Sequence, residues 1–236
     1  MVSTRIEMSL SGSNENGSGP GRKRREKRKA RPLDQIALRD LALSYVARFA
    51  TTGAKLESYL ARKIRERGVT EDGDGRSVEL DVTGLVTDFI EAGYVDDDAY
   101  ARARTRDLTA RGYGARRVEQ ALWAAGVEEQ VRADNAPGEA ESRRAAMLLA
   151  KKRRFGPFAR ATDAGPDERD ESDFAERRKL REKQVAAMLR AGHSFEHTAF
   201  IMDAGAQVDV DEWLAEAEDE AEDEAKNEER GTEGTW

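Results

Sequence analysis

From Asp34 onward, Leu38, Leu41, Ala42, Tyr45, Val46 and Phe49 recur at the spacing of one face of an α-helix. Thr51-Thr52-Gly53 interrupts the stripe, and Leu56, Tyr59, Leu60 and Ile64 resume it up to Gly68. The polar run TEDGDGRS that follows predicts a loop. Val78, Leu80 and Val82 alternate as in a strand, but Val78, Val82, Leu85, Val86, Phe89 and Ile90 satisfy a helix over the longer window. A third helix is therefore predicted there, with Gly84 costing about 1 kcal/mol relative to alanine.

The scheme then recurs. Asp97 and Asp98 are suited to cap a helix running from about Ala99 to Ala110. Gly112-Tyr113-Gly114 breaks it, and a second short helix, Arg116 to Ala125, carries Val118, Ala121, Leu122 and Ala125 on one face. A weaker piece reaches Asn135, and Ala136-Pro137-Gly138 forms a hinge. Beyond it, Ser142 to Arg153 is helical, Phe155-Gly156-Pro157 is a break, Leu180 to Ala191 is helical, and Ser194 caps a last helix with Phe195, Ala199 and Met202 on one face.

Leu56/Leu60, Val118/Leu122 and Val185/Leu189 occupy equivalent apolar pairs, each on a middle helix followed by a glycine: Gly68, Gly126 and Gly192. Helices this short are unstable alone, since roughly 12 to 15 residues are needed in water even with good propensity. The expected fold is all-α: three tandem three-helix units packed into an elongated, curved row, with disordered termini. The boundaries read as a basic arm at 1–33, units at 34–95, 96–136 and 139–206, an acidic insert at 162–173 within the third, and an acidic tail at 207–236.

Composition supports disordered ends, with 37% charged and 38% hydrophobic residues. The absence of cysteine excludes disulfides and thiolate chemistry and suits a reducing compartment. The longest purely apolar run, Ala145 to Ala150, is far short of the roughly 18 residues of a membrane span, and the N-terminus has no apolar signal core, so a cytoplasmic protein is expected. The formal net charge of −7 is unevenly laid out. RKRREKRKAR, residues 22–31, holds eight basic residues and one acid, whereas residues 209–236 hold thirteen acids against Lys226 and Arg230.

Catalytic patterns are missing. GYGARR has Arg117 where the third glycine of a dinucleotide fingerprint belongs, and no strand precedes it. The loop from Asp72 matches a calcium loop for three residues only. His193 and His197 lie four apart without a companion ligand and read as a partly exposed helix N-terminus. No enzyme, cofactor or metal site is expected.

A binding surface is better supported. Arg102, Arg104, Arg106, Arg111, Arg116 and Arg117 fall within sixteen residues, more than solubility requires. Arg116, Gln120 and Trp123 share the face of their helix opposite Val118 and Leu122. Trp123 has two readings, a contact residue or packing beneath an adjoining unit. Gly112 and Gly114 are read as conformational, setting a tight turn, and Tyr113 as a candidate contact residue or a wedge between units with its hydroxyl outward. The basic arm suits salt-sensitive attraction to nucleic acid, or a solvated tail.

Three stretches resemble the bacterial RecX regulatory family: LALSYVARFATTGAKLESYLARKIRERG, AGYVDDDAYARARTRDLTARGYGARRVEQALWAAGV and KQVAAMLRAGHSFEHTAFIMD. The second is the most specific, with its aspartate run, Tyr-Ala, arginines, Gly-Tyr-Gly and short helix ending in glycine. The resemblance covers about residues 36 to 205 and implies three tandem three-helix repeats. It further implies a protein that binds the RecA recombinase filament on DNA and restrains its ATPase, strand-exchange and LexA coprotease activities in DNA repair and the SOS response; a monomer is expected. The arm, the insert and the tail depart from the family. A direct, sequence-blind DNA- or RNA-binding protein is the alternative, and a helical scaffold for another partner a third reading.

Overall fold

The structure, a computed structural model, describes residues 31–159 and 171–233. Ten α-helices are described: α1 Gln35–Val46, α2 Gly53–Arg67, α3 Val82–Glu91, α4 Asp97–Ala110, α5 Ala115–Trp123, α6 Glu129–Asp134, α7 Glu139–Arg153, α8 Glu171–Arg190, α9 Phe195–Asp203 and α10 Gln207–Glu233. A short 3-10 turn, Gly156–Phe158, follows α7. Isolated bridges, Leu33 with Val69 and Glu71 with Ser77, are the β-pairings among the described residues.

Side chains that accept otherwise unpaired backbone N–H groups fix several helix starts. Asp34 accepts from Ala37, Thr52 from Lys55 and Ser194 from His197, at 2.7, 3.2 and 3.0 Å. Two expectations shift. Asp96, one residue before the expected pair, caps α4 through the Ala99 amide (2.8 Å), and Asp97 and Asp98 fall in its first turn. The third helix starts at Val82, where Asp81 accepts from the Gly84 amide at 2.7 Å. Val78 lies outside it because its N–H bonds the Thr70 carbonyl (3.0 Å) across the preceding loop.

Buried apolar side chains form three clusters. Leu38, Ala42, Leu56, Leu60, Leu85 and Phe89 centre the first, Ala101, Leu108, Val118 and Leu122 the second, and Ala146, Leu149, Met188, Ile201 and Trp213 the third. Leu33, assigned by sequence to the arm, belongs to the first cluster. Its backbone is held by the Gly68 carbonyl and the Thr70 amide, each at 2.9 Å.

Between the clusters, helix ends meet end to end. α5 has no side-chain cap. Instead the Gly114 and Arg116 amides at its start donate to the Ala191 and Gly192 carbonyls just past α8, at 3.0 and 3.1 Å. Unpaired donors of one helix and unpaired acceptors of another satisfy each other. At the other junction the Thr52 hydroxyl, at the start of α2, donates to the Ala125 carbonyl just past α5 (2.5 Å), and the Gly53 amide donates to Asp97 (2.9 Å). The residues after the middle helices, Gly68, Gly126 and Gly192, all have positive φ (77°, 74° and 97°).

The acidic tail departs most from expectation. Residues 207–233 are helical, and Val210, Trp213, Leu214 and Ala217 are buried at the spacing of one helical face. Trp213 stacks on Phe200 at 4.6 Å between ring centroids, and the Arg143 guanidinium lies 4.7 Å from its ring. Burying such side chains stabilises by roughly 1.5–3 kcal/mol each, which outweighs the repulsion expected of the tail's carboxylates. Of the acidic insert, residues 162–170 lie outside the described residues, as do residues 1–30 of the arm.

Two predictions test these contacts by urea unfolding. A Cβ on Gly114 would stand 2.5 Å from the His193 amide nitrogen, against backbone that cannot yield cheaply. Gly114→Ala should therefore cost about 2 kcal/mol or more, whereas Gly73→Ala, in open space, should stay within about 0.5 kcal/mol. Trp213→Ala should cost about 3–5 kcal/mol and free α10 from α7; an unchanged midpoint would contradict the docking.

Candidate functional site

A groove of about 380 Å³ opens where the first two clusters meet. Lys55 of α2 forms one side, Tyr100, Arg104 and Leu108 of α4 with Arg111 another, and Tyr113 the rim. Arg117, Gln120 and Ala121 of α5, with Ala124 just past its end, close it. Each place follows from local folding. The Leu56/Leu60 stripe turns inward and leaves Lys55 at the edge, while buried Val118 and Leu122 put Arg117 and Gln120 on the open side of α5.

Four cations and two phenols share the groove. The Lys55 ammonium donates to the Tyr100 hydroxyl and lies 4.5 Å from its ring centroid. The Arg111 guanidinium is 5.7 Å from the Tyr113 ring. Asp107 pairs with Arg104 at 3.0 Å and Arg111 at 3.4 Å. Both pairs are solvent-exposed, worth 0 to about 1 kcal/mol, and are readily exchanged for a stronger anionic partner. Arg117 has no ion pair among the described residues.

The expected contact residues thus divide. Arg104, Arg111, Tyr113, Arg117 and Gln120 line the groove. Arg102, Arg106, Arg116 and Trp123 do not, and Arg102 is held by Asp98. Trp123 is 70% exposed, so the reading that buries it under an adjoining unit does not hold. Lys55 and Tyr100 were missed. Tyr100 was visible in the Tyr-Ala motif of the second stretch, but nothing near Lys55 in sequence marks it as a neighbour of α4 and α5.

Gly112 and Gly114 act by different means. Gly112 has φ +85°, a conformation disfavoured for side-chain-bearing residues. Gly114 has an ordinary φ of −83° and is required by the close approach of Gly192. Both histidines are buried rather than partly exposed: the Gly112–Gly114 turn covers His193, and Glu139 and Trp213 pack against His197. The His193 Nε2 lies 3.1 Å from the Gly112 carbonyl and so carries the proton it donates, while its buried Nδ1 has no partner. His197 meets Glu139 at 3.1 Å and the edge of Trp213 at 5.4 Å. Among the described residues no group of three or more His, Cys, Asp or Glu side chains could hold a metal, and no helix is long and apolar enough to cross a membrane.

Burial holds the His193 pKa below its ordinary value of 6.5, outweighing the Gly112 hydrogen bond. Below about pH 6.5 the unfolded chain takes up this proton before the folded one, so the contribution is complete above that pH and is lost as pH falls. Unfolding midpoints should drop as pH falls below about 6.5, by at most about 1.4 kcal/mol per pH unit from this group. His193→Gln should flatten the profile; an equally steep one would assign it to other groups.

Comparison with known proteins places this arrangement. A family profile described as RecX, second three-helix domain, matches residues 96–134, the span that supplies most of the groove. The chain is 31% identical over 181 residues to the Regulatory protein RecX of Myxococcus xanthus, covering 75% of this chain and 90% of that protein. It is also 31% identical over 164 residues to the Regulatory protein RecX of Agrobacterium fabrum, covering 70% and 80%. The crystal structure of RecX from Lactobacillus salivarius superposes with a TM-score of 0.51 at 16% identity, over 71% of this chain and 93% of that one, a likeness of fold.

Proposed function

The chain belongs to the RecX family of regulatory proteins, and on that premise we propose that it binds the RecA recombinase filament on DNA and restrains its ATPase, strand-exchange and coprotease activities. It acts in the cytoplasm, without catalysis of its own, by occupying the filament. The groove is the observation that supports this: within and beside the family-matched span, Lys55, Arg104, Arg111 and Arg117 converge with two tyrosines, and Asp107, on the solvent-exposed side of Arg104 and Arg111, is the carboxylate paired with them. Contacts spread over successive units suit a repeating partner, because each added contact raises the effective concentration for the next. The exposed Trp123 on the neighbouring face of α5 is a second anchor of the kind that dominates protein interfaces.

Direct binding of nucleic acid is the second reading, favoured by the interleaving of cations and aromatic rings. RecA's single-stranded-DNA-dependent ATP hydrolysis separates the two. Substoichiometric amounts of the chain should inhibit it, and Arg104→Ala/Arg111→Ala/Arg117→Ala should weaken inhibition by about tenfold or more, the equivalent of roughly 1.4 kcal/mol. Inhibition undiminished in that variant would remove the groove from the account. No inhibition by the unaltered chain, with DNA bound equally well in the absence of RecA, would leave the second reading.

A further inference from the structure

The groove does not end at the second unit. Its walls Arg111 and Tyr113 also bound a narrower groove of about 100 Å³, completed by Lys152, Arg153 and Phe155. Arg153 and Phe155 in turn wall a third groove of about 500 Å³, together with Arg154 and Lys183. No aspartate or glutamate lines any of the three, although the chain holds 47 acidic residues against 40 lysines and arginines.

The C-terminal half of the chain shows how the charges are sorted. α10 engages Arg143 through the Trp213 carbonyl (2.6 Å), Arg144 through Glu218 (2.5 Å) and Lys151 through Asp211 (3.3 Å). Lys152, Arg153 and Arg154, next in sequence, have no ion pair among the described residues and line the grooves. Arg154 ends α7 in the left-handed conformation, φ 58° and ψ 49°, where glycine is the least strained residue. A strained arginine at a position suited to glycine points to a use for its side chain.

We propose that the three adjoining grooves form one track that holds a single-stranded nucleic acid, running from Lys55 past Arg111 and Tyr113 to Arg154 and Lys183. The proposal deepens the nucleic-acid side of the functional reading and rests on it, while adding a third-unit surface that neither the sequence pattern nor the family match singled out. Tyr100, Tyr113 and Phe155 punctuate the cations, and ring faces beside a basic groove accept unstacked bases. A duplex keeps its bases stacked on each other and leaves these ring faces without a stacking partner.

The test is fluorescence anisotropy of a labelled oligothymidylate with the full chain, without RecA, across a salt series. Lys152→Gln/Arg153→Gln/Arg154→Gly should weaken binding by about tenfold or more and flatten the log–log salt slope by about 2, since each single-strand phosphate contact contributes about 0.7. The basic arm is present in both proteins and cancels in that difference. Arg154→Gly alone should keep or raise Tm while weakening binding severalfold, a combination a merely structural residue would not give. Unaltered affinity and slope in the triple variant would overturn the track. So would tighter binding of a duplex, or failure of the unaltered chain to bind the oligonucleotide while it inhibits RecA through these residues. Oligonucleotide binding that depends on the three residues, with no effect on RecA, would sustain the track and overturn the RecA part of the functional reading.

Discussion

Where the turn between α4 and α5 meets the end of α8, no side chain separates the two backbones. A Cβ on Gly192 would stand 2.7 Å from the Arg117 Cβ, and the Gly114 and Arg116 amides bond the carbonyls opposite at 3.0 and 3.1 Å. This contact substitutes for a helix cap and sets how the second and third clusters meet. It also closes over His193, whose ring ties the Gly112 carbonyl into the same joint. The surface that carries Arg111, Tyr113 and Arg117 takes its shape from this approach. A bulkier residue at either glycine would move the cations as well as cost stability.

Electrostatics then divides the surface between self and partner. α10 neutralises cations on one side of α7 and buries Trp213 among Arg143, His197 and Phe200, so the acidic helix is part of the third cluster's packing. The cations it leaves face the grooves that begin at Lys55. A chain of net charge −7 can thus present a basic surface, because most of its carboxylates lie elsewhere.

Much of this was legible in the sequence, for identifiable reasons. The apolar periodicity located helices because buried stripes such as Leu56/Leu60 and Val118/Leu122 repeat every turn. Gly112-Tyr113-Gly114 marked a turn because glycines between two amphipathic stretches have few other uses. What escaped depended on partners distant in sequence. Lys55 joins the groove through its own bond to Tyr100 and the Thr52–Ala125 and Gly53–Asp97 bonds beside it, formed 45, 73 and 44 residues apart. The stripe Val210, Trp213, Leu214 and Ala217 was masked by the acids around it, whose number suggested a solvated tail. His193 is buried by a turn that no local pattern reveals. The start of α3 was misplaced because Val78 fits the helical period, yet its amide is used by the loop.

Amide hydrogen exchange at Gly114 and Arg116 in the full chain tests most directly the claim that backbone joints position the groove. Both lie at the start of a helix, where amides normally exchange freely for lack of a carbonyl partner. The account predicts protection comparable to that of Leu122 in the last turn of α5, since each donates to a carbonyl beyond α8. Exchange as fast as in the exposed loop around Gly73 would contradict it, and would mean that the units meet without the contact on which the surface depends.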